Sequence, residues 1–203
     1  MITIGITGGI GSGKSIVSTL MELSGIPVYI ADEESKRLTQ KSPAIRKGLT
    51  DLFGETIYTP NGLDKKKLAG FIFNDPEILQ KVNNIIHPEV FKDFISWTEL
   101  QHKNICALES AILFESGFNK FTDITLLVYA PEKIRIQRAM DRDQASMDEV
   151  KTRVNNQLSD DIKREKANYI IYNDGVRPLI PQVKAFIEKV QNTEEKGKQS
   201  NNS

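Results

Sequence analysis

A glycine-rich stretch near the start of the chain carries its clearest chemical signal. Residues 8–15 read Gly-Gly-Ile-Gly-Ser-Gly-Lys-Ser and match G-x-x-x-x-G-K-[ST] in full. Glycines let phosphate oxygens approach the backbone, and successive N–H groups then face the anion, aided by the positive end of the following helix. Lys14 would supply a cation for the β and γ phosphates, and Ser15 a hydroxyl ligand for Mg²⁺. The residues predicted to contact the nucleotide phosphates are Gly8, Gly9, Gly11, Ser12, Gly13, Lys14 and Ser15.

The alternative interpretation of this stretch is a plain turn between a strand and a helix. The flanking sequence favours a nucleotide site, because an apolar strand precedes the motif and an amphipathic helix follows it. A dinucleotide-binding loop fits less well, since that loop does not need Lys14 and Ser15.

Two carboxylates follow predicted strands and should lie at the same sheet edge as the glycine-rich loop. Asp32 ends the second predicted strand, where it could take a proton from an acceptor hydroxyl or orient it; capping of the next helix is the compatible alternative. Glu109 ends the third, after four apolar residues, and could hold Mg²⁺ directly or through water. A solvated or salt-bridged strand end is the alternative for Glu109.

An arginine-rich segment follows the fourth predicted strand. Arg135, Arg138 and Arg142 recur at helical spacing and should share a face, with Arg153 nearby. Such a face predicts a closing lid that neutralises transition-state charge and excludes water. A helix whose arginines pair with neighbouring aspartates is the alternative. Farther along, Asn173-Asp174-Gly175 follows the fifth strand and is either a simple turn or a contact for adenine.

Alternating strands and helices predict an α/β fold: a five-stranded parallel sheet covered on both faces, in the three-layer P-loop NTPase arrangement. The predicted core comprises residues 1–32, 104–131 and 167–190, and ligands should bind beyond the carboxyl ends of its strands. Residues from about 33 to 103 are predicted to form a helical insertion without strands. Its helices should start at Ser42-Pro43, Asp75-Pro76 and His87-Pro88. Residues from about 132 to 166 are predicted to form a lid. The final helix should end near Val190, and the polar tail 191–203 should be disordered.

Composition limits the functional classes. Lys+Arg and Asp+Glu balance at 27 each, which predicts no nucleic-acid or membrane partner. The single cysteine, Cys106, lies in an apolar run and predicts a buried thiol in a reducing compartment. With no signal peptide and no membrane-length apolar run, the expected location is cytoplasmic. The oligomeric state stays open.

The motifs together resemble the dephospho-CoA kinase family over residues 1–190. The matching stretches are residues 5–15, Ala31-Asp32, Phe53-Gly54, Gly62-Leu63-Asp64 with Leu68, residues 73–76, residues 86–88, Leu113-Phe114-Glu115, Gln137-Arg138, Arg142-Asp143, Gln157 and residues 173–175. The resemblance implies a nucleotide core, a helical CoA domain and a lid. It also implies ATP- and Mg²⁺-dependent phosphorylation of the ribose 3′-hydroxyl of dephospho-CoA, the last step of CoA synthesis.

The resemblance assigns roles to single residues. Asp32 matches the family's proposed base, Lys14 and Ser15 its phosphate and Mg²⁺ contacts, and Arg142 with Arg138 its lid arginines. Asn173 matches a position near the adenine. The substrate side of the site would contain His87, in the CoA domain, together with Phe114 and Glu115. A helix-start histidine that bonds backbone is the alternative for His87.

Two departures from the family pattern stand out. Ile16 follows Ser15 where a second hydroxyl residue is usual, so only its backbone N–H is expected to contact the α-phosphate. Ser110-Ala111-Ile112 replaces the usual Pro-Leu-Leu, which affects the placement of Phe114 and Glu115.

Three other functional readings compete. Another small-acceptor kinase, of the nucleoside monophosphate or shikimate type, would share the loop and lid but carry a different acceptor subdomain. A GTPase-like switch would need an N-K-x-D motif after a strand, which the sequence lacks. An ATP-binding scaffold without chemistry would tolerate the replacement of Asp32.

Overall fold

The structure of the protein is a computed structural model that describes residues 1–72 and 75–200. Its strands are β1 (Ile2–Thr7), β2 (Val28–Ile30), β3 (Tyr58–Thr59), β4 (Gly62–Leu63), β5 (Ile105–Glu109), β6 (Ile124–Tyr129) and β7 (Tyr169–Tyr172). Its helices are α1 (Lys14–Leu23), α2 (Ala31–Lys41), α3 (Pro43–Phe53), α4 (Lys65–Ile72), α5 (Pro76–Glu99), α6 (Glu132–Asp143), α7 (Met147–Asn155), α8 (Asp160–Lys166) and α9 (Leu179–Ser200).

The structure contains the predicted five-stranded sheet, whose strand order is β2-β5-β1-β6-β7. The pairs β1–β5, β1–β6 and β6–β7 are parallel, and their registers place Ile6 opposite Glu109 and Tyr129 opposite Tyr172. The carboxyl ends of these strands therefore meet at one edge of the sheet. Chain segments that leave this edge carry the glycine-rich loop, Glu109, the start of α6 and Asn173.

Two helices cover one face of the sheet with apolar side chains. Ile4 and Ile6 of β1 are fully buried and share a core cluster with Val17 of α1 and Phe186 of α9. The strands read as nearly continuous apolar runs because the sheet interior is buried, and β5 is buried at every position. Burial of each such side chain contributes about 1.5–3 kcal/mol, so the sheet and α1 form a stable base for the loop between them.

The chain divides into two compact units. One consists of Met1–Tyr29 and the chain from Gln101 onward, and the other is Ile30–Leu100. The second unit starts and ends three residues earlier than the predicted insertion, 33–103. Within it, Ser42 and Asp75 accept hydrogen bonds from the first turns of α3 and α5, each with a proline at the helix start, as predicted.

The second unit contains a short hairpin that the sequence analysis missed. The prediction of a strand-free insertion is wrong, because β3 and β4 pair antiparallel around the turn at Pro60-Asn61. The side chain of Gln40 accepts from the N–H of Leu63, and the hydroxyl of Tyr58 donates to the carbonyl of Thr39. These contacts from α2 stabilise strands of only two residues, which a sequence pattern cannot reveal.

His87-Pro88 does not start a helix, contrary to the prediction. Both residues lie inside α5, which runs without interruption from Pro76 to Glu99. Pro88 removes one intrahelical hydrogen bond, but Ile86 and Val90 on either side are buried, and this packing continues the helix through the proline. Phe73 and Asn74, part of the family-like stretch before α5, lie outside the described residues.

The ends of two other elements differ from the predictions. β2 ends at Ile30, and Ala31 already begins α2, so Asp32 lies in the first helical turn and does not end the strand. The final helix α9 continues to Ser200, although the sequence predicted disorder from Gln191. Residues 192–200 include two glutamates, two lysines and one glutamine, which are good helix formers, and no proline. None of the described helices is long and apolar enough to cross a membrane.

Candidate active site

The loop between β1 and α1 has a backbone that only glycine can supply. Gly11 and Gly13 have φ values of 76° and 92°, in the left-handed region. A Cβ on Gly11 would lie 2.1 Å from the carbonyl oxygen of Arg135, and one on Gly13 would lie 2.1 Å from Nδ2 of Asn173. Close approach and positive φ thus both require glycine at these two positions.

The loop leads into the positive end of α1. The first N–H groups of a helix have no acceptor within the helix, and the first turn of α1 carries no acidic residue. Nζ of Lys14 donates to the carbonyl oxygen of Gly8 over 3.0 Å, which holds the cation across the mouth of the loop. Ser15 and Ile16 are exposed on the same turn. The arrangement fits an anionic ligand.

Two buried hydroxyls, one at the end of β1 and one in the loop itself, support this fit. The Oγ1 of Thr7 and the Oγ of Ser12 are buried, and neither has a hydrogen-bond partner among the described residues. Buried hydroxyls are normally bonded, so such atoms beside a glycine loop are what a site for a polar ligand would contain. Ser12 is one of the residues predicted to contact nucleotide phosphates.

Glu109 lies at the end of β5 and is only 7% exposed. Its Oε2 accepts a hydrogen bond from Ser18 over 3.1 Å. Ser18 is one turn along α1 from Ser15, so the Glu109 carboxylate contacts the helical turn that follows Ser15. Burial rules out the interpretation of Glu109 as a solvated strand end. Oxygen donors at this place suit Mg²⁺, which is bound by one or two protein groups together with substrate phosphates and water.

No larger metal centre is present in the part of the chain that the structure describes. Within residues 1–72 and 75–200, no three histidine, cysteine, aspartate or glutamate side chains are grouped so that they could hold an ion. Cys106 is fully buried in β5, and burial raises the pKa of its thiol, as expected for a structural cysteine.

Asn173 connects the end of β7 to the glycine-rich loop. Its backbone N–H donates to the carbonyl of Tyr129, and its Nδ2 donates to the carbonyl of Ser12 over 2.8 Å. The next residue, Asp174, accepts from the N–H groups of Val176 and Arg177 and forms a tight turn. The segment is therefore a turn that also contacts the glycine-rich loop, and the contact of Asn173 with adenine stays a prediction.

The predicted arginine face is divided into two environments. Arg135 is only 3% exposed, so the prediction that it belongs to one cationic surface with Arg138 and Arg142 is wrong. Arg135 can be buried because each of its guanidinium nitrogens has a hydrogen-bond acceptor. These acceptors are the carbonyls of Ala130 and Ile10 and the carboxylate of Asp160.

The other arginines remain accessible. Arg138 is half-buried and donates to the carbonyl of Asn173 over 2.9 Å. Arg142 has a side chain that is 62% exposed, and both it and Arg153 pair with Asp143. The hydrogen bond to Asp143 raises the pKa of Arg142, and the two arginines hold the pKa of the Asp143 carboxyl well below its usual range. The alternative of arginines paired with aspartates thus describes Arg142 and Arg153 in this state.

The loop after β5 contains the predicted substrate residues Phe114 and Glu115. Phe114 is half-buried, and Oε1 of Glu115 accepts from the N–H of Leu158 over 2.8 Å. The same oxygen lies 3.2 Å from Nζ of Lys163. Glu115 therefore holds the junction between α7 and α8 in this structure.

Lys163 is a buried cation that the sequence analysis did not identify. Its side chain is fully buried in α8, and its ammonium donates to the carbonyl of Ala111 over 3.1 Å. Burial lowers the pKa of the Lys163 ammonium, while Glu115 acts in the opposite direction. The sequence around it, Asp-Asp-Ile-Lys-Arg-Glu-Lys, gives no signal that separates this lysine from its exposed neighbours.

Asp32 and His87 belong to the second unit. Asp32 is exposed in the first turn of α2, followed by Glu33 and Glu34. The N-cap of α2 is Ile30, so the proposed capping role of Asp32 does not apply. His87 is half-buried within α5, and burial lowers the pKa of its imidazole.

Comparison with known proteins gives a consistent family. The dephospho-CoA kinase family model matches residues 2–178. A dephospho-CoA kinase of Bacteroides fragilis is 48% identical over 189 residues, with 92% of this chain and 91% of the relative covered. One from Porphyromonas gingivalis is 46% identical, with 94% and 95% covered.

Solved structures agree on the fold. A crystal structure of a Thermus thermophilus protein has a TM-score of 0.81 at 32% identity and covers 95% of this chain and 97% of its own. A shikimate kinase from Acinetobacter baumannii has a TM-score of 0.54 at 18% identity, with 95% and 94% covered, and supports the α/β fold alone. The match over residues 2–178, together with relatives nearly half identical over almost their full length, shows that the chain belongs to the dephospho-CoA kinase family.

Proposed function

We propose that this chain transfers the γ-phosphate of ATP to the ribose 3′-hydroxyl of dephospho-CoA and releases CoA and ADP. The observation that carries the proposal is the glycine loop with Lys14, set between β1 and α1, in a chain of this family. The same relatives favour dephospho-CoA over a nucleoside monophosphate or shikimate as acceptor. The likeness to shikimate kinase concerns the fold only.

The loop residues would bind the triphosphate. Phosphoryl transfer depends mainly on positioning and on stabilisation of charge at the transferring group. Backbone N–H groups of the loop and of the first turn of α1, other than those of Ile10 and Ser12, which donate to Gln157 and Gly9, and the ammonium of Lys14 would supply this stabilisation. Each well-placed donor of this kind contributes a rate factor of about 10²–10³. Ile16, exposed on the first turn of α1, would contribute its backbone N–H only.

Ser15 and Glu109 are the residues proposed to hold Mg²⁺ with the nucleotide. When bound, the ion neutralises charge on the β- and γ-phosphate oxygens. The exposed Ser15 hydroxyl would be a direct ligand. Glu109, which is buried and accepts from Ser18, would act on the ion directly or through water.

Asp32 is the proposed base for the acceptor hydroxyl. Its carboxylate is exposed, so it is available to accept a proton or to orient an alcohol. His87, Phe114 and Glu115 are the other residues proposed on the acceptor side. We assign the unit Ile30–Leu100 to recognition of the CoA moiety.

The helices α6–α8 are the proposed lid, with Arg138 and Arg142 as its arginines. On release from Asp143, the Arg142 guanidinium would reach the phosphates of the nucleotide. Arg142 would then exchange the Asp143 carboxylate for the phosphates as its anionic partner. Asn173, fixed against Ser12 and Arg138, would lie near the adenine. The protein would act in the cytoplasm, as its single buried thiol suits a reducing compartment.

An acceptor panel tests the proposal. Purified protein with ATP and Mg²⁺ would be assayed for ADP release in the presence of dephospho-CoA, AMP, CMP or shikimate, with a reaction lacking acceptor as the control. We expect ADP release that depends on dephospho-CoA and a product with one added phosphate at the 3′ position by mass spectrometry and ³¹P-NMR. Release with another acceptor alone would contradict the proposed substrate.

A further inference from the structure

The peptide groups on both sides of Ile10, in the middle of the glycine loop, are held by side chains from α6 and from the α7–α8 junction. Nη1 of Arg135 donates to the carbonyl oxygen of Ile10 over 3.1 Å. The N–H of Ile10 donates to Oε1 of Gln157, also over 3.1 Å. One loop residue thus has both of its backbone groups fixed by side chains more than 120 positions away in sequence.

Arg135 is itself rigidly placed. Its Nε donates to the carbonyl of Ala130 over 3.1 Å and its Nη2 to Oδ2 of Asp160 over 2.5 Å. A Cβ on Gly9 would lie 2.2 Å from Nη1 of Arg135, so the loop packs directly on the guanidinium. A planar guanidinium with all three nitrogens engaged has little rotational freedom, and it transmits the position of α6 and α8 to the loop.

Gln157 is placed by the α7–α8 junction. Its neighbour Leu158 donates to Glu115, and Lys163 in α8 bonds Ala111 and Glu115, which ties the junction to the loop after β5. Gln157 also lines a cavity of about 410 Å³ together with Gly9, Arg135 and Asp160. Because this cavity is polar and open, Gln157 is not a core side chain whose removal should unfold the protein.

We propose that Gln157 and Arg135 are positioning residues: they fix the orientation of the peptides flanking Ile10, and thereby couple nucleotide binding to the position of α6–α8. The orientation of these peptides restricts where the following N–H groups of the loop point, because consecutive rigid peptide planes share a Cα atom. A ligand that prefers the fixed loop must then favour the fixed position of α6–α8 by the same factor. This inference rests on the proposed function only in requiring a nucleotide at the loop.

The test uses hydrogen exchange in the full chain with and without ADP. Gln157→Ala removes the acceptor, and Asn155→Ala, at an exposed position that lines the same cavity, is the matched control. We expect the Ile10 amide, followed by ¹⁵N-NMR, to exchange on the order of tenfold faster in Gln157→Ala, the change that loss of one hydrogen bond gives. Gln157→Glu keeps an acceptor oxygen and should restore the slow exchange.

The same experiment measures the coupling between nucleotide binding at the loop and the position of α6–α8. ADP should slow exchange at residues 155–160 of the parent and of Asn155→Ala, and this protection should be lost in Gln157→Ala, with an ADP Kd raised roughly three- to tenfold. Arg135→Lys keeps the positive charge but loses the planar guanidinium with its several N–H donors. This variant should change the Ile10 exchange rate and the ADP protection of residues 155–160 in the same direction as Gln157→Ala. Melting temperatures monitor folding of each variant.

Unchanged Ile10 exchange in Gln157→Ala, or ADP protection of residues 155–160 that survives the substitution, would overturn the proposal. Neither measurement involves a substrate that accepts phosphate. A failure of dephospho-CoA to accept phosphate would therefore count against the proposed function and leave these results as they are.

Discussion

The side-chain amide of Asn173 donates a hydrogen bond to the carbonyl oxygen of Ser12 across 2.8 Å, while the carbonyl of Asn173 accepts from Arg138. The end of β7 therefore supports the glycine loop and α6 at once. A Cβ on residue 13 would clash with the side-chain amide of Asn173, so the hydrogen bond between Asn173 and Ser12 also depends on glycine at position 13.

Asn173→Ala should weaken ATP binding selectively. Loss of the bond to Ser12 releases one support of the loop, and we expect the KM for ATP to rise about two- to tenfold, the equivalent of one hydrogen bond. The KM for dephospho-CoA should change little. Steady-state kinetics with each substrate varied will separate the two constants. An equal rise in both would show that Asn173 acts on the whole fold and has no specific link to the loop.

Lys14→Ala should remove most of the turnover. The ammonium lies across the mouth of the loop, bonded to Gly8, and its loss should lower kcat by about 10²-fold or more, as for other charge-stabilising donors. Lys184→Ala on α9, where the side chain is 77% exposed, is the control and should behave as the parent. ATP turnover in the Lys14 variant at the parental rate would contradict the proposed role of the loop.

Asp32→Asn should lower kcat with little change in the KM for ATP. Loss of a general base reduces the rate by about 10²–10⁴-fold. Glu33→Gln tests the neighbouring exposed carboxylate in the same helical turn and should retain full activity. Both substitutions remove one negative charge from the start of α2, so any effect on the helix itself is matched. Equal activity of the two variants would remove Asp32 from the mechanism.

His87 should make stability depend on pH. Burial lowers the pKa of its imidazole, so between this lowered pKa and the ordinary value of 6.5 the unfolded chain binds more protons than the folded one. The free energy of unfolding should therefore fall as the pH drops through this window. Urea unfolding at a series of pH values will measure it, and His87→Gln should lack this component. A steeper acid dependence in the variant than in the parent would contradict the prediction.

Lys163→Ala should destabilise the chain far more than Lys166→Ala. Removal of a fully buried lysine leaves the Ala111 carbonyl without its donor, breaks the ion pair with Glu115 and leaves a cavity, at a cost of about 2–4 kcal/mol. Lys166 is exposed in the same helix, and its substitution should cost no more than about 0.5 kcal/mol. The free energy of unfolding in urea measures both; similar values for the two variants would contradict the structure.

The core of the fold could be predicted because its signals are local. Apolar runs predict strands at 2–7, 105–109, 124–129 and 169–172, and a helix at 14–23 that stops at Gly25, and the structure has β1, β5, β6, β7 and α1 with these bounds. Ser42 and Asp75 were recognisable as N-caps from their side-chain chemistry and the prolines that follow.

The errors arose where tertiary packing decides the outcome. Pro88 is a helix-start residue by local rules, yet burial of Ile86 and Val90 carries α5 through it. The β3–β4 hairpin depends on contacts from Gln40 and Thr39 in α2.

The same reason explains the parts of the candidate site that were missed. Arg135 shares helical spacing with Arg138, but its burial depends on Ile10 and Asp160, which are distant in sequence. Lys163 looks like any surface lysine until Ala111 and Glu115 surround it. Spacing shows which residues share a helix face and gives no information on what that face contacts.

The complete burial of Cys106 has a practical consequence for spectroscopy. Because the only native thiol is shielded and its pKa is raised, a cysteine introduced at an exposed position such as Lys151 on α7 would be the sole reactive thiol in the folded protein. Fluorophores could then be attached at chosen points without first replacing a native residue. Changes in α7 during turnover would be read in real time from an otherwise unaltered enzyme.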